Sequence, residues 1–149
     1  MNYCVEADVR GVARIFSTDY QVGTFKADDV NAAIIEASEQ VRYLLMPNFD
    51  INVINAYSPN FPPAVVSLTK NKAANILFHR FLPLDGPQGD LLEDRLNKEI
   101  YKWECAVIGS TLLDSTGASV PAQLKPSIVI QGTPTSLQEQ YSEGNRLFP

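Results

Sequence analysis

Apolar residues recur at helical spacing along the first part of this 149-residue chain. A first helix is predicted from about Val5 to Phe16, with Val5, Val9, Val12 and Phe16 on one face and two acidic residues in the first turn, where the helix dipole favours them. Cys4 stands where a capping serine or threonine is expected, so the predicted start of this helix is weakly capped.

The second predicted helix has the most regular pattern and must end before Pro47. Its apolar stripe consists of Val30, Ile34, Ala37, Val41 and Leu44/Leu45. Ile35 and Tyr43 lie off this stripe, on the side away from the expected core. Exposed apolar residues on an otherwise amphipathic helix favour a second contact surface.

Residues 48–61 are predicted to form a loop, because they are rich in asparagine, proline and aromatic residues. A third helix is predicted from Pro62 or Pro63 to about Leu82, since proline is tolerated in the first turn of a helix. Pro83 and Gly86 are expected to end it. Its apolar residues point in nearly all directions, which predicts a central position among the other helices.

A fourth helix is predicted from Asp90, whose spacing to Glu93 resembles a capping box, to Ile108, with Gly109 ending it. Its main apolar stripe consists of Leu92, Leu96, Ile100, Trp103 and Val107. A second stripe, roughly opposite, consists of Tyr101, Cys105 and Ile108. The predicted fold is therefore mainly α, a small four-helix bundle over residues 1–109 in which two helices carry apolar residues that one core does not require.

Helical spacing is absent from residues 110–149, which are predicted to form an extended, partly β C-terminal arm. A short β-branched run, Ile128, Val129 and Ile130, lies between Pro126 and Gly132 and predicts a strand. Such a strand can add to a sheet or surface of another subunit, or it can fold back on its own bundle. Leu147 and Phe148 near the C-terminus are candidate anchors for the same arm.

Composition restricts the possible functions. A net charge of −5 and a pI near 4.8 argue against a general nucleic-acid binder, which normally carries a basic face. The two cysteines, Cys4 and Cys105, have no metal-binding spacing and are expected to be free thiols. No apolar run approaches the length of a membrane span, and the first residues lack the apolar region of a signal peptide, so we expect synthesis in the cytoplasm.

The sequence shows no constellation for catalysis. His79 is the only histidine, and no Cys, Asp or Glu at helical spacing would complete a metal site around it. The acidic pairs Asp28-Asp29 and Glu93-Asp94 stand at predicted helix starts, where capping explains them better than acid–base chemistry. Lys70, Lys72 and Arg80 make the third helix mildly basic, which favours a solvated or subunit-facing edge. We expect neither an enzyme nor a cofactor.

The order of these segments resembles that of the head-to-tail connector (adaptor, head-completion) proteins of tailed bacteriophages. The segments that carry the resemblance are, in order, MNYCVEADVRGV, ADDVNAAIIEASEQVRYLLMP, PPAVVSLTKNKAANILFHRFL and DLLEDRLNKEIYKWECAVIGS. Each motif alone is weak, and the specificity lies in their order and spacing. The resemblance covers Met1 to about Gly109 and does not extend into the C-terminal arm.

This resemblance implies a structural virion protein of the phage neck, made in the host cytoplasm. Its subunits would form a ring, typically twelvefold, beneath the portal protein and offer a docking surface to a tail, stopper or terminator protein. DNA would pass through the ring without specific binding, to which an acidic protein is suited. Ile35, Tyr43, Tyr101, Cys105 and Ile108, with the arm residues Ile128, Val129, Ile130, Leu147 and Phe148, are the candidate subunit or partner contacts. The alternative is a small helical adaptor or regulatory protein that binds a peptide or protein partner.

Overall fold

The computed structural model describes residues 1–16, 25–81, 86–109 and 111–123. The described part of the chain is mainly helical, as the apolar periodicity predicts. It contains α1 (Glu6–Phe16), α2 (Ala27–Leu45), α3 (Ile51–Asn55), α4 (Pro63–Phe81) and α5 (Gly86–Ile108). Its β pairing is limited to one isolated antiparallel bridge between Leu113 and Ser119. The predicted strand at Ile128, Val129 and Ile130 and the predicted anchors Leu147 and Phe148 lie outside the described residues.

The start of α1 differs from the prediction in which residues are buried. The Asp8 carboxylate accepts a hydrogen bond from the Val5 backbone N–H at 3.0 Å, while the Val5 carbonyl accepts from the N–H of Asp8. This pairing makes Val5 the capping residue and leaves its side chain 63% exposed, whereas Cys4 is buried. The expectation that Val5 shares the buried face with Val9 and Val12 is therefore wrong. The side chain of Phe16 is outside the described part of the structure.

Helix α2 follows its predicted pattern closely. Val30, Ile34, Ala37, Val41 and Leu45 are buried, together with Ala33 and Ser38. The helix ends at Leu45, and its C-cap Met46, just before Pro47, donates its N–H to the carbonyl of Arg42. The proline cannot continue the hydrogen-bond ladder, so the sequence-based end of this helix is correct to within one residue.

Residues 48–61 are not the continuous loop that their composition predicts. Asp50 is the N-cap of the short helix α3, because its side chain accepts a hydrogen bond from the Asn52 N–H at 2.9 Å. Phe49, Ile54 and Phe61 in this segment are buried. The loop prediction is therefore corrected: the segment folds inward and supplies core residues.

Helix α4 is central, as its nearly uniform apolar surface predicts. It contacts α1, α2 and α5. Two of its buried polar side chains bond to carbonyls of the helix itself, since the Thr69 hydroxyl donates to the Val65 carbonyl and the Asn71 amide donates to the Ser67 carbonyl. The Asn75 side-chain oxygen, also on α4, is buried and has no hydrogen-bond partner within the described residues.

Helix α5 begins at Gly86, one turn before the predicted start at Asp90. The prediction that Asp90 caps this helix is wrong, and Gly86 opens α5 instead of ending α4. The predicted main stripe is confirmed: Leu92, Leu96 and Val107 are buried. Ile100 and Trp103, on the same stripe, are partly buried and pack against the core.

The chain beyond α5 returns to the helices. We call residues 111–123 the C-terminal strap. Leu112 and Val120 of the strap are 1% and 2% exposed. The predicted domain boundary at residues 109/110 therefore does not mark the end of the hydrophobic core, which includes strap residues.

The buried residues form two clusters. The first core cluster comprises Cys4, Val9, Val12, Ala13, Phe25, Val30, Ala33, Ile34, Ala37, Ala73, Ala74, Leu77, Phe78, Leu92 and Leu96. The second core cluster comprises Tyr3, Val41, Leu45, Phe49, Ile54, Phe61, Val65, Leu68, Val107, Leu112 and Val120. Because α2, α4 and α5 contribute to both clusters, these helices join them into one folded unit.

Candidate interaction surfaces

The exposed apolar stripe on α5 consists of Tyr101, Cys105 and Ile108. Their spacing of four and three residues places them within about 60° around the helix axis. Tyr101 is 69% and Ile108 49% exposed, and Cys105 is also exposed. Interaction with the Cys105 thiol raises the pKa of the Tyr101 hydroxyl, so this phenol stays uncharged at neutral pH. The stripe is an uncharged contact surface about two helical turns long.

Ile35 and Tyr43 are exposed on α2, at 55% and 64%. Eight residues separate them, which corresponds to about 80° around the helix and about 12 Å along it. They therefore do not form one stripe like that of α5. The Arg42 guanidinium carbon lies 5.5 Å from the centroid of the Tyr43 ring, which gives this part of α2 a mixed aromatic and cationic character.

One end of the molecule brings together the C-terminal ends of α2 and α5. The Asn48 side-chain amide donates to the Ile108 carbonyl at 2.8 Å. Met46, Ile108 and Leu113 are each about half exposed and lie close in the chain to this contact. Sequence reasoning missed Met46 and Leu113, because neither belongs to a periodic stripe. Their positions in the sequence could have indicated them, because Met46 directly precedes Pro47 and Leu113 lies four residues after Gly109. Both prolines and glycines of this kind end helices, and apolar residues near a helix end can be left exposed.

Two basic residues of α4 pair with carboxylates on neighbouring helices. The Lys72 ammonium lies 2.8 Å from the Glu104 carboxylate of α5, and Arg80 pairs with Glu36 of α2. His79 is half exposed, with its Nε2 atom 3.7 Å from the Glu93 carboxylate. Two of the three basic residues that predicted a solvated or subunit-facing edge therefore hold α4 against its neighbouring helices.

An open groove of about 580 Å³ lies beside the N-terminus. Buried side chains from separate segments form its apolar lining: Tyr3, Cys4, Ile34 and Phe61. The rings of Tyr3 and Phe61 meet edge to face, with centroids 5.2 Å apart. Polar residues complete the lining, among them Glu6, Asp8, Asn31, Asn60 and Ser115. A groove of this size and mixed lining can take a peptide side chain or a small molecule.

The two ionisable groups in the floor of the groove are kept neutral. Burial raises the pKa of the Cys4 thiol to about 12, and the Asp8 carboxylate adds to this effect. Burial also raises the pKa of Tyr3, whose hydroxyl lies 3.4 Å from the Asn55 side-chain oxygen. A protonated, buried thiol is a poor nucleophile, so the groove does not present an activated cysteine.

The described residues do not bring a metal-binding cluster together. Within residues 1–16, 25–81, 86–109 and 111–123, no three His, Cys, Asp or Glu side chains lie close enough to hold a metal ion. None of the helices in this part of the chain combines the length and apolarity needed to cross a membrane.

No family model matches the chain, and neither a curated protein nor a solved structure shows significant similarity to it.

Proposed function

We propose that the chain is a structural protein of the neck of a tailed bacteriophage, a head-to-tail connector subunit that assembles as a ring beneath the portal. The observation that carries the proposal is the order of segments over residues 1–109. An acidic helix ends at Tyr43-Leu44-Leu45-Met46-Pro47, a helix opened by prolines follows it, and a last helix ends at Gly109. In this proposal the four long helices form a bundle, and the chain beyond the strap is an extended arm.

The distribution of exposed apolar residues supports a ring. Head-to-tail rings use heterologous contacts, so each subunit needs two different patches. The α5 stripe of Tyr101, Cys105 and Ile108 differs in shape from the α2 surface around Ile35 and Tyr43. Two unlike surfaces on different helices suit two different neighbours, whether the next subunit, the portal or a tail component.

The acidic balance of the chain supports a channel function. A net charge of −5 repels the DNA backbone, so a ring of such subunits would let DNA slide past without binding it. Ring closure would then depend on apolar and main-chain contacts between subunits.

The decisive experiment measures the mass of the complex that the full chain forms with the portal protein of the same genome. We expect many copies of the chain per portal ring in mass photometry. Tyr101→Asp should abolish this assembly, because it places a charge in the α5 stripe. Ala106→Asp, which adds the same charge at an exposed position about 140° from Tyr101 around the helix, is the matched control and should assemble normally. A complex with one chain per portal assembly, or normal assembly of Tyr101→Asp, would argue against the ring.

A second experiment tests the arm. A chain that ends at Gln123 keeps the strap and both core clusters, so its thermal unfolding should match that of the full chain. We expect the same truncation to prevent incorporation into particles. Normal incorporation of the truncated chain would show that residues 124–149 are not required for docking.

The groove beside the N-terminus is the observation that favours the alternative, an adaptor that binds a peptide. An adaptor of this kind would form a one-to-one complex and would lose its partner when the groove is filled, for example by Asn60→Trp. The same variant should leave ring assembly through the α5 stripe unchanged. The two functions therefore predict opposite responses to Asn60→Trp and Tyr101→Asp.

A further inference from the structure

The C-terminal strap is closed on itself by a dense set of hydrogen bonds. One carboxylate oxygen of Asp114 accepts from the Thr116 N–H at 2.8 Å, the Thr116 hydroxyl at 2.6 Å and the Ala118 N–H at 3.0 Å. The backbones of Asp114 and Ala118 pair across the turn, and the Val120 N–H donates to the Leu112 carbonyl at 2.7 Å. Gly117 supplies the positive φ of 85° that closes the turn. The strap can therefore move without losing its internal structure.

The connection between the strap and the helical domain is much sparser. The side chains of Leu112 and Val120 insert into the second core cluster. Within the described residues, one hydrogen bond joins the strap to the rest of the chain, from the Gln123 N–H to the Asn48 carbonyl at 2.7 Å. Nearly all other strap side chains are exposed. Two apolar side chains and one hydrogen bond thus hold the strap in place.

The strap also borders the groove beside the N-terminus. Ser115, in the strap turn, lines this groove together with Cys4, whose side chain is 7% exposed. The first core cluster, which joins α1, α2, α4 and α5, contains no residue of the strap. Loss of the strap contacts would therefore remove Ser115 from the wall of the groove and leave the packing of that cluster, which includes Cys4, intact.

We propose that the strap is a latch: it detaches from the helices as one unit while α1, α2, α4 and α5 stay folded, and its detachment removes one wall of the groove beside the N-terminus. Weakly anchored, internally closed segments are the units that open locally in native proteins at a lower free energy than global unfolding. This motion is a property of the fold and does not depend on the connector function.

The test measures the strap and the first core cluster separately on the full chain with Cys105→Ser, which leaves Cys4 as its single thiol. Hydrogen exchange at the Gln123 amide reports detachment from Asn48, because this N–H forms the connecting hydrogen bond. Reaction of Cys4 with a maleimide at one fixed pH reports opening of the first core cluster, because Cys4 is buried in that cluster. Both rates are measured at several low urea concentrations.

The matched variants are Leu112→Ala and Leu113→Ala, neighbours of which the first is buried and the second 48% exposed. We expect Leu112→Ala to speed exchange of the Gln123 amide about tenfold or more, the factor that corresponds to about 1.4 kcal/mol of local stability. Leu113→Ala should leave this rate nearly unchanged. The accelerated exchange should depend only weakly on urea, because a local opening exposes little surface, whereas the reaction of Cys4 should depend steeply on urea.

Three results would overturn the latch. The Gln123 amide could exchange with the same steep urea dependence as the Leu68 amide in the core of α4, which would mean that the strap detaches only when the whole domain unfolds. Cys4 could react with the same weak urea dependence as the exchange of the Gln123 amide, which would mean that the first core cluster opens together with the strap. If Leu112→Ala does not fold, Val120→Ala replaces it as a smaller truncation of the second anchor, and an unchanged rate of Gln123 exchange in that variant also rejects the proposal.

Discussion

The two core clusters are built in different ways from the same helices. The first core cluster is dominated by helical positions and contains five alanines, Ala13, Ala33, Ala37, Ala73 and Ala74, which let helix backbones approach closely. The second core cluster takes large side chains from non-helical segments, including Tyr3, Phe49 and Phe61, and two side chains from the strap. One end of the molecule is thus held by close helix packing and the other by side chains inserted from loops.

This difference means that the two ends should respond to opposite perturbations. Cavities are most costly where a large loop side chain fills a space that helices cannot close by themselves. Added volume is most costly where alanines already hold two backbones in contact. A large-to-small change in the second cluster and a small-to-large change in the first therefore test the comparison directly.

The largest expected effect is that of Phe49→Ala in the second core cluster. Phe49 is 1% exposed although it lies between two helices, so its removal leaves a cavity. We expect a loss of about 3–5 kcal/mol in the free energy of unfolding, measured by urea denaturation. Tyr43→Ala, which truncates an aromatic residue that is 64% exposed, is the control and should change stability by less than about 0.5 kcal/mol. A loss below about 1 kcal/mol for Phe49→Ala would show that the second cluster is not tightly packed.

The pattern of apolar residues predicted the first cluster better than the second. The stripes of α2 and α5 are periodic, so Val30, Ile34, Leu92 and Leu96 were identified as core residues before the fold was known. Leu112 and Val120 carry no such signal, because tertiary packing alone brings two isolated apolar residues of an irregular segment to the core. The side chains of the turn between Leu112 and Val120 are nearly all exposed.

The sequence predicted only some of the candidate surfaces, because its apolar pattern is informative only for residues on periodic helices. Ile35, Tyr43, Tyr101, Cys105 and Ile108 were assigned to the solvent side because they lie off the stripes, and the structure confirms that all five are exposed. Their contact with a partner stays a prediction. The groove beside the N-terminus could not be predicted, because its lining comes from segments far apart in the sequence, such as Cys4, Asn60 and Ser115.

An intermediate effect is expected for Ala33→Leu in the first core cluster. Ala33 is fully buried on α2, and its neighbour Ala32 is exposed on the same helix. The larger side chain at position 33 should separate the packed helices and cost about 1–3 kcal/mol, measured by urea denaturation. Ala32→Leu makes the same chemical change with the same helix propensity and should be nearly neutral. Equal stability of the two variants would mean that the first cluster has room for the larger leucine side chain, and would remove the contrast between the two ends.

The smallest expected effect concerns the turn that closes the strap at the second end. Hydrogen bonds from Thr116, Ala118 and Gly117 lower the pKa of the Asp114 carboxyl below its ordinary value, with the Thr116 side chain as the largest cause. A carboxyl whose folded pKa is lowered stabilises the folded state above its unfolded pKa of about 3.9, and this contribution is lost as the pH falls through the folded pKa.

Asp114→Asn removes this charge, so the variant should exchange its Gln123 amide faster than the parent chain at neutral pH. The difference between the two proteins should shrink as the pH falls below about 4, once exchange is corrected for its intrinsic pH dependence. The corresponding Asp28→Asn variant, at the start of α2 and away from the strap, should leave the exchange of Gln123 unchanged. If Gln123 exchange differs between Asp114→Asn and the parent chain as much in acid as at neutral pH, the asparagine side chain disturbs the turn by its shape. The charge of Asp114 would then not help to hold the strap closed.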